Sequence, residues 1–194
     1  MKHNNACYFL FENVYIKHFK LTEFIFETNM NEENFMLYLA QFGLVRFTEV
    51  ILTRIKSELT EEELHNFIKT KSKIGKNIIG YATQNESKES VEYLMEFIEQ
   101  EVGIDEIKKM LREEDIFGRL PLYHTENEKS FEFFVSIYRR KFTEPEFKKL
   151  RLSNNFNPND KNLIIPLKKF RPLFIIFVIL IIGVLYRKVA ADFF

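Results

Sequence analysis

A repeat constrains this chain more than any other feature. Ser90–Asp115, SVEYLMEFIEQEVGIDEIKKMLREED, recurs without a gap at Ser130–Asn155 as SFEFFVSIYRRKFTEPEFKKLRLSNN. A weaker copy lies upstream in Thr48–Ser72. Copies spaced by about 40 residues mark an array in which each unit buries its apolar face only by stacking on its neighbour. The second constraint is the run Pro172–Tyr186, which carries no charge and is nearly all Ile, Leu, Phe and Val.

Within each copy the apolar positions recur at three and four, the spacing of one helix face. In residues 34–73, Phe35, Met36, Leu39 and Ala40 predict a short first helix, and Gly43 suits a turn. Phe47, Val50, Ile51 and Ile55 predict a second helix over Val45–Lys56. Thr60-Glu61-Glu62-Glu63 has the spacing of a capping box. The Thr oxygen takes one free backbone N–H and the Glu returns the bond, opening a third helix with Leu64, Phe67 and Ile68 inward.

The second copy places helices at Ile78–Gln84, Glu89–Gln100 and Asp105–Leu111, with Gly103 as the break. Val91, Leu94, Met95, Ile98, Ile107 and Met110 face inward. The third has Pro121 in a first helical turn, Ser130 as the cap of its second helix, and Thr143-Glu144-Pro145-Glu146 as a second capping box with Phe147 and Leu150 inward. Residues 1–33 predict a degenerate capping repeat, because Leu21, Phe24 and Ile25 match Leu64, Phe67 and Ile68.

Gly75-Lys76-Asn77-Ile78-Ile79-Gly80-Tyr81-Ala82, followed by Glu89, Val91, Leu94 and Met95, resembles the ankyrin repeat, and Gly118-Arg119-Leu120-Pro121-Leu122 resembles it again. Asp160-Lys161-Asn162-Leu163-Ile164 looks like the start of a fourth, unfinished repeat. The likeness covers residues 34–155. The family's Thr is Asn77 and Leu120 here, its His is Gly80 and Tyr123, and its period is shorter, at about 33 residues. The surplus is the capped third helix, so the resemblance implies an expanded variant with an extra helix per repeat. A HEAT-like α-solenoid, with a period of about 40–47 residues, is the alternative. Either way the fold class is all-α, a short solenoid.

By that resemblance, contact residues for a protein partner lie on the turns and first helices: Lys73, Lys76, Tyr81, Phe117, Arg119 and Tyr123. Each weighs equally as an ordinary exposed or packed residue of the stack.

Residues 156–169 read as a linker and 170–189 as one transmembrane helix, with 190–194 a short tail. Fifteen helical residues span only about 22 Å, so Phe170 and Val189 extend the run while Arg171, Arg187 and Lys188 reach to the interfaces. No secretory signal is legible: the first apolar run, Ala6–Phe11, is followed at once by Glu12. With more positive charge before the run than after it, the expected layout is a tail-anchored, single-pass protein with a cytosolic N-terminal domain. The basic flanks and short tail resemble mitochondrial outer-membrane signals and the Ile/Phe hydrophobicity those of the endoplasmic reticulum; the former is favoured.

The 28 basic and 28 acidic residues cancel, which removes a global electrostatic argument for nucleic acid. The cluster Arg139-Arg140-Lys141 is read as favourable charge at a helix C-terminus. The four His and Cys7 have no metal-ligand spacing, and no phosphate-binding Gly loop or nucleophile elbow occurs. The expectation is a non-enzymatic scaffold or adaptor with no cofactor and no small-molecule substrate, bound to a cytosolic protein and to a membrane through Phe170–Val189. The alternative is a membrane-active or host-targeting effector whose hydrophobic tail carries the activity.

Overall fold

The computed structural model describes residues 25–153 except positions 44 and 86. The apolar run 170–189, the linker, the fourth-repeat motif and most of the N-terminal capping repeat lie outside the described residues. Among the described residues the regular structure is helical, with one isolated antiparallel bridge between Lys71 and Asn77. The helices are α1 (Phe35–Phe42), α2 (Val45–Glu58), α3 (Glu61–Ile68), α4 (Ile78–Ala82), α5 (Lys88–Arg112), a 3-10 turn at Pro121–His124, α6 (Glu128–Lys141) and α7 (Glu144–Ser153). None of these is long and apolar enough to cross a membrane.

Local sequence sets most of the boundaries. Thr60 opens α3 with a closed capping box: its Oγ1 accepts the Glu63 N–H at 3.3 Å, and the Glu63 carboxylate accepts the Thr60 N–H at 2.9 Å. Ahead of α7 the Glu146 carboxylate accepts both the N–H and the hydroxyl of Thr143, each at 2.9 Å. Gly103, at φ 82°, kinks α5 into the two expected helices without separating them. α2 runs two residues beyond its expected end and α4 stops two short of it.

The cap of α6 is Asn127, whose Oδ1 accepts the Ser130 N–H at 2.9 Å; Ser130 itself lies inside the helix, not at its cap. Asn is an equally good cap, and the start it selects lets Phe131 and Phe134 fall on the apolar stripe. The first helix of the third repeat is only a 3-10 turn. Leu120 offers no side-chain acceptor to cap it, and this copy is three residues shorter before its second helix: the first-helix caps Asn77 and Leu120 lie 43 residues apart, the second-helix caps Ser87 and Asn127 only 40.

The elements stack in register. α1 packs on α4 and α4 on the 3-10 turn, forming one column of first helices. α2 and α3 pack on α5, and α5 on α6, forming the column behind it. Leu94, Met95, Ile98, Ile107 and Met110 are all buried between the columns, together with Ile51, Leu52, Ile55, Phe134 and Phe147. The Tyr138 hydroxyl, wholly buried, donates to the Leu111 carbonyl at 2.7 Å and ties α6 to the end of α5.

Candidate interaction surface

Three short fingers precede the first helices, at residues 29–34, 72–77 and 115–120. Their backbones follow one plan. Asn29, Ser72 and Asp115 each close a turn: Glu32 N–H donates to Asn29 O at 2.9 Å, Gly75 N–H to Ser72 O at 2.7 Å, and Gly118 N–H to Asp115 O at 2.9 Å. The fourth residue of each finger is left-handed: Glu32 at φ 60°, Gly75 at 77° and Gly118 at 72°. Glycine takes that conformation at no steric cost, whereas Glu32 is strained in it.

Where the opening residue is Asn or Asp, its side chain also holds the turn. Asn29 Oδ1 accepts from the Asn31 and Glu33 N–H groups at 2.8 and 3.0 Å, and Asp115 Oδ1 from Phe117 and Arg119, both at 2.9 Å. The finger ends on a helix cap in two copies: Asn34 Oδ1 takes the Leu37 N–H at 3.1 Å, and Asn77 Oδ1 takes the Gly80 N–H at 3.0 Å. Successive fingers join by one backbone bond each, Lys73 N–H to Asn31 O at 2.7 Å and Ile116 N–H to Ile74 O at 2.9 Å.

The tips of this row are exposed and partly apolar. Met30 is 93% exposed, Ile116 66% and Phe117 65%, three of the few large apolar side chains left in water among the described residues. Lys73 stands exposed at the middle tip, at the position equivalent to Met30 and Ile116.

Behind the tips runs a polar ladder built from equivalent positions. Glu33, Lys76 and Arg119 occupy one finger position; Tyr38, Tyr81 and His124 occupy the facing position on the first helices. The Glu33 carboxylate accepts from Asn29 Nδ2 at 2.7 Å, from the Tyr38 hydroxyl at 3.1 Å and from the Tyr81 hydroxyl. Lys76 Nζ lies 4.1 Å from the Tyr81 ring centroid and donates to Gln84 Oε1. Gln84 Oε1 also accepts from Gln41 Nε2 at 2.9 Å, while its own Nε2 donates to Glu126 at 3.3 Å. Arg119 grips Asp115 through Nε at 2.8 Å and NH2 at 2.7 Å, and His124 Nε2 lies 3.5 Å from the same carboxylate.

The environment sets the charges. Burial holds the Lys76 ammonium down at about 7, despite the pull of Glu33. Burial and the neighbouring cations Lys76 and Arg119 hold His124 down at about 2, so the ring is neutral beside Asp115. Burial and the Glu33 carboxylate push the Tyr38 phenol up to about 12, and Tyr81 is raised further for the same causes.

Of the six residues singled out by sequence, Lys76, Tyr81 and Arg119 meet in this ladder; Lys76 and Tyr81 are only 5% and 4% exposed. Lys73 and Phe117 stand at the tips, and the Arg119 guanidinium sits 4.9 Å from the Phe117 ring. Tyr123 is half-buried against the core at the third repeat. Glu33, Gln41, Gln84, Asp115, His124 and Glu126 were not among the candidates; their signal is the recurrence of polar side chains at equivalent finger and first-helix positions.

Two other charged clusters are paired internally. Arg139, Arg140 and Lys141 pair with Glu144 at 3.9 Å, Glu92 at 3.8 Å and Glu99, respectively. A groove of about 200 Å3 between α3 and the second half of α5 is lined by Lys69, Lys71, Lys109, Glu106, Glu113 and Met110, and its lysines pair with its acids. Among the described residues no three His, Cys, Asp or Glu side chains are grouped to hold a metal.

Compared with known proteins, the chain matches no family profile, no curated protein and no solved structure.

Proposed function

We propose that this chain is a non-enzymatic interaction scaffold of expanded ankyrin-like repeats, held to a membrane by residues 170–189, with its repeats in the cytosol. The observation that carries the reading is the finger row. Three turns with one hydrogen-bonding plan are joined edge to edge, fixed from behind by a polar ladder, and tipped with Met30, Lys73, Ile116 and Phe117 in water. Large apolar side chains kept exposed on a hydrogen-bonded, repeated frame suit recognition of another protein. The anchor rests on the uncharged run Pro172–Tyr186 between Arg171 and Arg187-Lys188. The same flanks favour the mitochondrial outer membrane, and neutralising Arg187 and Lys188 tests that address.

The function is tested by proximity labelling in cells, using the full chain and a variant carrying Met30→Ser, Lys73→Glu and Phe117→Ser. All three side chains are exposed, so the fold and location should persist. The reading predicts loss of a defined set of labelled neighbours. An unchanged set would remove the fingertips from the contact surface.

A further inference from the structure

Lys76 lies where the three described repeats meet, and it is charged at a cost the site does not offset. Its side chain runs beneath Gly80, where an added Cβ would come within 2.9 Å of the Lys76 Cγ and 3.3 Å of the His124 ring. Among the described residues no carboxylate comes within ion-pair distance of its Nζ.

The acids that face it, Glu33, Glu126 and Asp115, pull toward the charged form, but each is bonded to another partner and burial outweighs their sum. From the first repeat, Glu33 is engaged by Asn29, Tyr38 and Tyr81. From the third finger, Asp115 is held by Arg119 and by two backbone N–H groups, and Arg119 presents a like charge. From the third repeat's first turn, His124 is a neutral ring, and beyond it Glu126 reaches Gln84. From its own repeat, Lys76 receives only the Gln84 amide oxygen and the face of Tyr81.

A neutral amine keeps the bond to Gln84 and sheds the cost of a buried charge. An ammonium is fully accommodated only if water reaches it; the first-repeat side presents the attractive Glu33, whereas the third-repeat side presents the like-charged Arg119 and the neutral His124 ring, so it is the second and third repeats that part.

From this geometry we infer that Lys76 is a proton-sensitive pin: its protonation drives opening of the stack between the second and third repeats, and its neutral form lets the stack close.

The sign follows from linkage. In the closed array the amine titrates near 7, and in an opened, hydrated array near the ordinary 10.5. Between those values the open form binds more protons, so opening is favoured as pH falls from 10.5 to 7. Below about 7 both forms carry the proton and the dependence ends. Proton binding of that kind raises the open population by roughly ten- to fifty-fold between about pH 9 and pH 7.

The test is amide hydrogen exchange of the full chain in detergent micelles across that range, with each rate divided by its intrinsic rate. Protection over 72–82 and 115–124 should fall by that factor in the wild type. It should be independent of pH in Lys76→Met, and low at both ends in Lys76→Arg, whose guanidinium cannot discharge. A direct titration of the Lys76 side chain by 13C NMR in the wild type keeps the inference testable if neither variant folds. A midpoint near the ordinary lysine value would overturn it, as would a pH dependence that persists in Lys76→Met.

Discussion

Asn77→Ala isolates what the finger contributes to the stack. The side chain is 3% exposed and makes three bonds. Its Oδ1 caps α4 through Gly80 N–H at 3.0 Å; its Nδ2 donates to the Met110 carbonyl at 2.8 Å and to Glu113 Oε2 at 3.0 Å. Loss of an Asn cap costs about 0.5–2 kcal/mol. Removing the donor to a buried carbonyl adds about 1–3 kcal/mol, tempered here because the Glu113 N–H also approaches Met110 O at 3.4 Å. The sum is about 1.5–4 kcal/mol, a large share of a small array's stability.

Asn34 supplies an internal control. It caps α1 in the same way through Leu37 N–H at 3.1 Å, so Asn34→Ala should cost only the cap, about 0.5–2 kcal/mol. Asn77→Ser, which keeps a capping oxygen and loses the amide donors, should fall between. The assay is urea unfolding of the full chain in detergent, followed by far-UV circular dichroism at several urea concentrations. Equal costs for Asn34→Ala and Asn77→Ala would refute the claim that the finger is bonded to the end of α5.

Four further outcomes are expected. Leu94→Ala, at a position 1% exposed, should cost about 2–5 kcal/mol in the same unfolding assay. Glu32→Gly should stabilise the array by about 0.5–1 kcal/mol, because it removes a left-handed strain of about 1–2 kcal/mol and adds back glycine's entropy; a loss of stability would show that the strain is absent. The Glu63 and Glu146 carboxyls are held below the usual range by bonds from Thr60 and Thr143, so their stabilisation is present above the ordinary carboxylate pKa and lost as pH falls through the depressed one; Glu63→Gln should flatten that acid limb of the unfolding curve. Ile176→Lys together with Ile181→Lys should move the protein into the soluble fraction on carbonate extraction, since each Lys costs about 2.5–3.5 kcal/mol near a helix centre, while recovery in the membrane would argue against the anchor.

What the sequence made legible was local. Thr60 with Glu63, and the break at Gly103, depend on residues within one turn of chain, and so does the apolar stripe through Leu94 and Ile98. Asn127 and Ser130 are both good caps three residues apart, so the local sequence does not decide between them, and α6 starts from Asn127. The finger plan was harder to see. Its opening residues are Asn, Ser and Asp, and its left-handed positions are Glu, Gly and Gly, so the common element is backbone conformation and not residue identity. Of the ladder, Lys76, Tyr81 and Arg119 stand out in the sequence as turn and first-helix residues, but their partners do not. Glu33 reaches Tyr81 across 48 residues and Gln41 reaches Gln84 across 43, and those approaches exist only once α1 and α4 are stacked in register.

The central claim is that recognition resides in the repeats and that the tail only positions them. An anchor swap tests it most directly. Residues 170–194 are replaced by an unrelated tail anchor of the same destination, and proximity labelling is compared with that of the native chain. The account predicts the same neighbours from both chains, and their loss from the swapped chain when Met30, Lys73 and Phe117 are also replaced. Neighbours that follow the native tail, whatever the fingertips carry, would contradict it and favour an effector whose tail is the active part.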